Sequence, residues 1–320
     1  MALKVLALFI AALVALTLGW VLLLMRAEER EAAAEQRFPP QGQFLRVGDI
    51  NVHAVVMGRG PDLVLIHGAS GSTRDMTFSL APRLAENYRV FVIDRPGLGY
   101  TDRLNTTGAS LHQQATLLRQ AAEQLGASKP IVVGHSYGGA VALAWAVYYP
   151  DDIAALVPIS APSNPWTIPL DPLYRVTSSD WGSRIIVPLI TALISEERIA
   201  RTIRSIFAPQ SPPDGYAEEV GAALTLRRVS MRANADQRAN LLGEIKAQVD
   251  DYGLISVPTE IVHGTADETV GLSIHSEKLV DQIPGAVLTR LEGIGHMPHH
   301  ASEDEIVAAI DRAASRAGLR

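Results

Sequence analysis

Residues Ile131 to Ala140, Ile-Val-Val-Gly-His-Ser-Tyr-Gly-Gly-Ala, constrain this chain more than any other stretch. Apolar residues run into Gly134-His135-Ser136-Tyr137-Gly138, and the apolar run Val141 to Val147 follows. The pattern predicts a strand, a sharp turn and a helix, with a serine at the apex. Glycines two before and two after Ser136 let neighbouring backbones approach a turn so tight that the hydroxyl is held outwards above a sheet edge. The helix that opens there offers free N–H groups suited to negative charge. The plainer reading is a glycine-rich turn with an idle serine.

A serine hydroxyl becomes a nucleophile when a positioned base takes its proton, and that base needs an acid to hold its tautomer. Ser136 therefore asks for a later Asp or Glu and a later His, each just past a strand. Thr259 to Asp267 supplies Asp267 in a loop after a strand; Glu260 lies inside that strand and Glu268 one residue further on. Gly293-Ile294-Gly295-His296-Met297-Pro298 supplies His296 after the last strand and a glycine turn. Among nine histidines, His53 falls in an early strand, His112 and His275 in apparent helices, and His67 and His263 in His-Gly turns. His135 flanks the nucleophile and should point away from it. His299 and His300 remain as competitors. A metal cluster of His296, His299 and His300 lacks a carboxylate at ligand spacing, so no metal is expected.

The elbow and the order Ser, Asp, His resemble the α/β-hydrolase family, over about Gln41 to Ala317. The resemblance implies an oxyanion hole of two backbone N–H groups, from Tyr137 after the nucleophile and from Ala69 in His67-Gly68-Ala69-Ser70. Asp94-Arg95-Pro96-Gly97-Leu98-Gly99-Tyr100-Thr101 is similar to a segment shared by haloalkane dehalogenases, epoxide hydrolases, carbon–carbon bond hydrolases and cofactor-free haloperoxidases. The first two use an aspartate nucleophile, a role Ser136 does not fill, and Tyr137 stands where dehalogenases hold halide with tryptophan. Tyr174 and Tyr216 match the lid tyrosines of epoxide hydrolases no better than they match packing residues. Gly134-His135-Ser136 resembles the esterase and lipase elbow most closely.

The continuous apolar runs Leu63 to Ile66, Val90 to Ile93 and Ala154 to Ile159 read as strands buried on both faces, with an amphipathic helix over Leu111 to Leu125. Phe44 to Val47 and Ile50 to Val56 read as an antiparallel opening around Gly48-Asp49. The fold class is α/β, a mostly parallel sheet with helices on both faces. Between two strands comes a helix-only stretch, with helices near Trp181 to Ile194, Glu197 to Phe207, Tyr216 to Ser230 and Asp236 to Asp250, which reads as a cap. Strands return at Thr259 to Val262 and Ala286 to Leu291, and a helix near Glu303 to Ala314 closes the chain. Trp166, Trp181, Ile185, Ile186, Leu189, Ile190 and Leu193 suit a buried helix face, or in part an acyl pocket open to a bilayer.

Val5 to Met25 carries no charge over 21 residues and lies between Lys4 and Arg26, enough for a helix crossing about 30 Å of hydrocarbon. A cleaved signal is the competitor, but Ala32-Ala33-Ala34 lies beyond the charged stretch that follows the run. Lys4 and the amino terminus favour an inside N-terminus, Arg26, Arg30 and Arg37 the reverse; the short tail puts the soluble part on the non-cytoplasmic side. The expected organisation is an anchor over 1–26, a charged, helix-favouring linker over 27–40, the core over 41–160 and 253–320, and the cap over 161–252. A net charge of −6 argues against a nucleic-acid partner, and Arg198, Arg201 and Arg204 suit a solvated helix face. Without cysteine there is no disulfide or thiolate site. The expected activity is cofactor-free cleavage of a small-molecule or lipid carboxylic ester by Ser136, Asp267 and His296. Carbon–carbon bond cleavage or haloperoxidase-like chemistry with the same triad, and a non-catalytic binding role, are the alternatives.

Overall fold

Strands that are apolar at every position have no face to offer water, so each must be covered on both sides. The computed structural model, which describes residues 1–320, shows how this is met. A long helix α1 (Ala2–Arg37) precedes strands β1 (Gln43–Val47) and β2 (Ile50–Gly58). Then come β3 (Asp62–Ile66), short helices α2 (Thr73–Thr77) and α3 (Leu80–Leu84), β4 (Arg89–Ile93), α4 (Leu111–Gln124), β5 (Ile131–His135), α5 (Tyr137–Tyr148) and β6 (Ala155–Ile159). Six helices without a strand follow: α6 (Pro172–Thr177), α7 (Asp180–Leu193), α8 (Glu196–Phe207), α9 (Tyr216–Glu219), α10 (Ala222–Thr225) and α11 (Arg228–Gln248). The chain ends with β7 (Glu260–Gly264), α12 (Ser276–Gln282), β8 (Val287–Leu291), α13 (Pro298–Ala301) and α14 (Glu303–Arg316).

The eight strands lie in the order β1-β2-β4-β3-β5-β6-β7-β8; β2 runs antiparallel to both its neighbours, β1 and β4, and every other pair is parallel. Helices α4 and α5 cover Val64, Ile66, Phe91, Ile93 and Val132 on one face. Helices α3 and α14 cover Leu63, Leu65, Val90, Val92 and Val133 on the other. Truncating one such side chain, as in Leu65→Ala, costs about 2–5 kcal/mol. Because the chain leaves β3 for β4 and returns past it to β5, the strand order reverses there. Loops diverge at the carboxyl ends of β3 and β5 and leave a crevice, the usual place for a site in such sheets.

The helix-favouring stretch 27–37 is the unbroken continuation of α1, and its Glu31 and Glu35 pair with Arg228 and Arg227 at the start of α11. Two expectations are corrected. The helices expected over Tyr216–Ser230 and Asp236–Asp250 are divided elsewhere. Gly221, at φ +68°, separates α9 from α10, and no breaker lies between Met231 and Asp236, so α11 runs through. His275 caps α12 rather than lying inside a helix.

Candidate active site

Strand β5 ends at His135 and α5 starts at Tyr137, so Ser136 alone makes the turn, at φ 52° and ψ −122°. This left-handed backbone is costly for a residue with a Cβ and persists only when its surroundings over-determine it. The flanking glycines supply that condition. A Cβ on Gly134 would sit 2.2 Å from the Gly138 carbonyl oxygen, and one on Gly138 2.3 Å from that of Ile66. The elbow is thus pressed against the end of β3, and an added methyl on either glycine drives them apart.

Asp267 lies three residues past β7 and His296 five past β8, and the sheet brings both to Ser136. The His296 Nε2 is 3.0 Å from the Ser136 Oγ, and its Nδ1 is 2.8 Å from the Asp267 Oδ2. All three residues are buried. Burial opposes ionisation of Asp267, but hydrogen bonds from His263, His296 and the Val270 N–H outweigh it and hold the carboxyl far below its ordinary range. Thr269 N–H also donates to its Oδ1, at 2.8 Å. Asp267 is therefore a fixed anion aimed at one imidazole nitrogen, which leaves the other free to face the serine.

The competitors stand elsewhere. Glu260 is buried between Arg312 and Arg316, and Glu268 is exposed. His135 Nε2 meets the His296 carbonyl oxygen at 2.8 Å, which turns its ring from Ser136. His299 and His300 place their Nε2 atoms 3.3 and 2.9 Å from Asp75, whose Oδ1 also accepts from the Tyr216 hydroxyl at 2.7 Å. The carboxylate missing from the local spacing is thus brought in from α2, and Asp75, His299 and His300 form a cluster of metal-ligand types that excludes His296. Its donor set fits a metal poorly. Asp75 is already engaged by three donors, and the buried Nδ1 atoms of His299 and His300 have no acceptor, whereas ligating imidazoles are normally held through that second nitrogen. Burial pushes Asp75 towards neutrality, yet His299 and His300 hold its carboxyl well below the usual range. Burial, with His300 beside it, pulls His299 down to about 4.

The loop after β3 runs beside the elbow: a Cβ on Gly68 would lie 3.3 Å from that of Ser136. The backbone N–H groups of Ala69 and Tyr137 make no hydrogen bond within the protein. Four residues assigned no role at the site on sequence grounds hold the surrounding loops. Arg95 is fully buried; its Nη1 donates to the Gly68 carbonyl at 3.0 Å, and its guanidinium lies 3.9 Å above the Tyr137 ring. It bonds Gln114 and Gln237 rather than a carboxylate, and burial pulls its pKa down to about 10. Asn234 of α11 accepts from Ser70 N–H and donates to its hydroxyl, both at 2.9 Å. Gln210 grips the turn before His296, donating to Gly293 and accepting from Gly295. His263 supports Asp267 from 3.3 Å. Only His263, four residues from Asp267, had a local signal; the others act across 19 residues or more.

A sequence model of the alpha/beta hydrolase fold matches residues 61–303. The chain belongs to the α/β-hydrolase fold family. Among relatives of this hydrolase, monoacylglycerol lipase ABHD6 of Homo sapiens is 26% identical over 251 residues, 75% of this chain and 71% of that protein. A 2-hydroxy-6-oxononadienedioate/2-hydroxy-6-oxononatrienedioate hydrolase of Klebsiella pneumoniae is 26% identical over 268 residues, 79% of this chain and 88% of its own. In structure, a putative lipase from Acinetobacter baumannii matches with a TM-score of 0.67 at 22% identity, over 91% of this chain and 96% of that one. The hydrolase therefore shares its fold with a putative lipase and has among its relatives both a monoacylglycerol lipase and a dienedioate hydrolase. Its helix α1 is long and apolar enough to cross a membrane.

Proposed function

We propose that this α/β hydrolase is a membrane-anchored serine hydrolase that cleaves carboxylic esters through an acyl-enzyme. The observation that carries the reading is the relay from the Ser136 Oγ through His296 to Asp267, at 3.0 and 2.8 Å. Ser136 attacks the ester carbonyl while His296 Nε2 takes its proton, and Asp267 stabilises the imidazolium. The tetrahedral oxyanion is held by the N–H groups of Ala69 and Tyr137, the second at the start of α5, where the helix dipole adds positive potential. Arg95 orients both donors, through the Gly68 carbonyl and the Tyr137 ring. His296 then protonates the leaving alcohol, and water activated by the same imidazole releases the acid. The stretch 161–252 acts as the cap, and the soluble part lies on the non-cytoplasmic side, which Lys4 and the short amino-terminal tail support.

The test is hydrolysis of p-nitrophenyl esters of increasing acyl length by the detergent-solubilised full chain beside Ser136→Ala. A loss of about 10³-fold or more in kcat, with an unchanged melting temperature, supports the reading. Equal activity in both proteins overturns it. The Klebsiella relative's match over 88% of its own length favours carbon–carbon bond cleavage as the second reading. That reading gains if the folded chain ignores every ester yet cleaves a vinylogous diketone in a Ser136-dependent manner.

A further inference from the structure

The first part of α1, Ala2 to Gly19, is exposed at every residue, but from Trp20 onwards one face is partly covered. Over its first turns the partner is α7, and two sets of contacts fix how the helices lie. Trp20 stands beside Asp180, Trp181, Arg184 and Ile185 at the start of α7. Arg26 and Arg30 donate to the carbonyls of Ala192 and Ile194 at its end. The helices therefore run side by side in the same direction. The two guanidinium groups satisfy carbonyls that lack intrahelical partners and sit at the negative end of the α7 dipole, which locks its height along α1.

Helix α7 is apolar on both sides. Its inner side buries Val187 and Ala192 completely, while outside Trp181, Ile185 and Leu193 are 56%, 46% and 61% exposed. They recur at four and eight residues and form one stripe. An outer stripe of this kind belongs in a protein core or against lipid, and no protein covers it. The buried face expected for these residues is therefore only half correct. Between the stripe and α1 lies an open cleft of about 570 Å³ lined by Trp20, Trp181 and Ile185, with Asp180 and Arg184 as its polar lining.

The depth follows from the anchor. Val5 to Met25 spans about 31 Å as helix, and Trp20 lies about 9 Å short of the first charge beyond it, Arg26. A helix pinned beside Trp20 thus begins at the boundary of headgroups and acyl chains, where tryptophan is favoured.

We propose that α7 is seated in the interface of a phospholipid bilayer, with Trp181 deepest, Ile185 next and Leu193 at the surface, and with lipid acyl chain filling the cleft beside Trp20. The proposal rests on the reading of α1 as membrane-spanning. It assigns the outer face of the helical insertion to the membrane, so a substrate leaving the lipid meets the insertion without crossing water.

The chain has no cysteine, so single substitutions carry one environment-sensitive fluorophore each. Leu13→Cys, Trp181→Cys, Ile185→Cys, Leu193→Cys and Arg201→Cys, in the full chain, are labelled and reconstituted in phosphatidylcholine/phosphatidylglycerol vesicles with or without spin-labelled lipid. The expected result is several-fold quenching at 13 and 181, less at 185, little at 193 and none at 201 on the exposed side of α8. Quenching at 13 with 181 and 185 no different from 201 overturns the seating of α7 while leaving the anchor intact. Blue-shifted emission at 181 without quenching means that protein, such as a second copy of the chain, covers the stripe, and also overturns it. No quenching at 13 removes the anchor, and the proposal falls with it.

Discussion

Ser136, Asp267 and His296 stand just past β5, β7 and β8, strands tied into one sheet by backbone ladders, whereas the helical insertion reaches the same site through side chains alone. Gln210 holds the turn before His296, Asn234 and Thr225 hold Ser70, Gln237 holds Arg95, and the Tyr216 hydroxyl donates to Asp75. Backbone ladders fix positions to the accuracy of a strand register. Single side-chain bonds are each worth about 0.5–1.5 kcal/mol net and tolerate adjustment. The body holds Ser136, Asp267 and His296 by its backbone, and the insertion trims the loops around them.

Asp267→Asn tests the rigid side of this contrast and has the largest expected effect. The amide keeps the shape but no longer fixes the His296 tautomer, so kcat should fall about 10³–10⁴-fold with the fold intact. Rates within threefold of the parent would separate Asp267 from the reaction.

Arg95→Lys tests the joint between the regions. A lysine does not reach Gly68, Gln114 and Gln237 together or stack on Tyr137 in the same plane. The expected loss in kcat is about 10²-fold, the scale of one oxyanion donor, with KM little changed. A rise in KM alone would make Arg95 part of the insertion's binding surface instead.

Asn234→Ala removes two bonds to Ser70 from the insertion side. We expect about 1–2 kcal/mol lower stability in denaturant melts and a rate loss smaller than that of Arg95→Lys. A larger loss than Arg95→Lys would show that the insertion, not the body, aims the loop of Ala69.

A last comparison separates the regions by pH. Burial holds His67, His275 and His299 near 4 instead of 6.5, and all three belong to the body. Between those values the unfolded chain binds more protons than the native one, so their stabilisation is complete above about 6.5 and is lost as pH falls towards 4. Thermal melting at pH 5.5 should lie about 5 °C or more below that at pH 7.5. An unchanged midpoint would mean that these rings are charged in the folded protein.

Much of this was readable from residues in order. The four strand runs are apolar at every position, and only burial on both faces satisfies that; the elbow glycines sit where any Cβ would strike backbone. Asp267 and His296 were singled out because the chemistry of a serine nucleophile demands an acid and a base past later strands. The rest depends on distance. Asp75 lies 224 residues from His299, and Arg95 meets Gln237 across 142, so no local spacing records either contact. The continuation of α1 past Met25 was visible as helix-favouring composition, but its docking depended on Arg227 and Arg228 arriving from the far side of the insertion. The sequence alone determined which groups are candidates for the chemistry and which runs are buried, because those follow from side-chain chemistry and local period. Tertiary structure decided which loops are braced, that His299 and His300 serve Asp75 rather than Ser136, and that half of α7 faces outwards, because each is set by what long-range packing brings alongside.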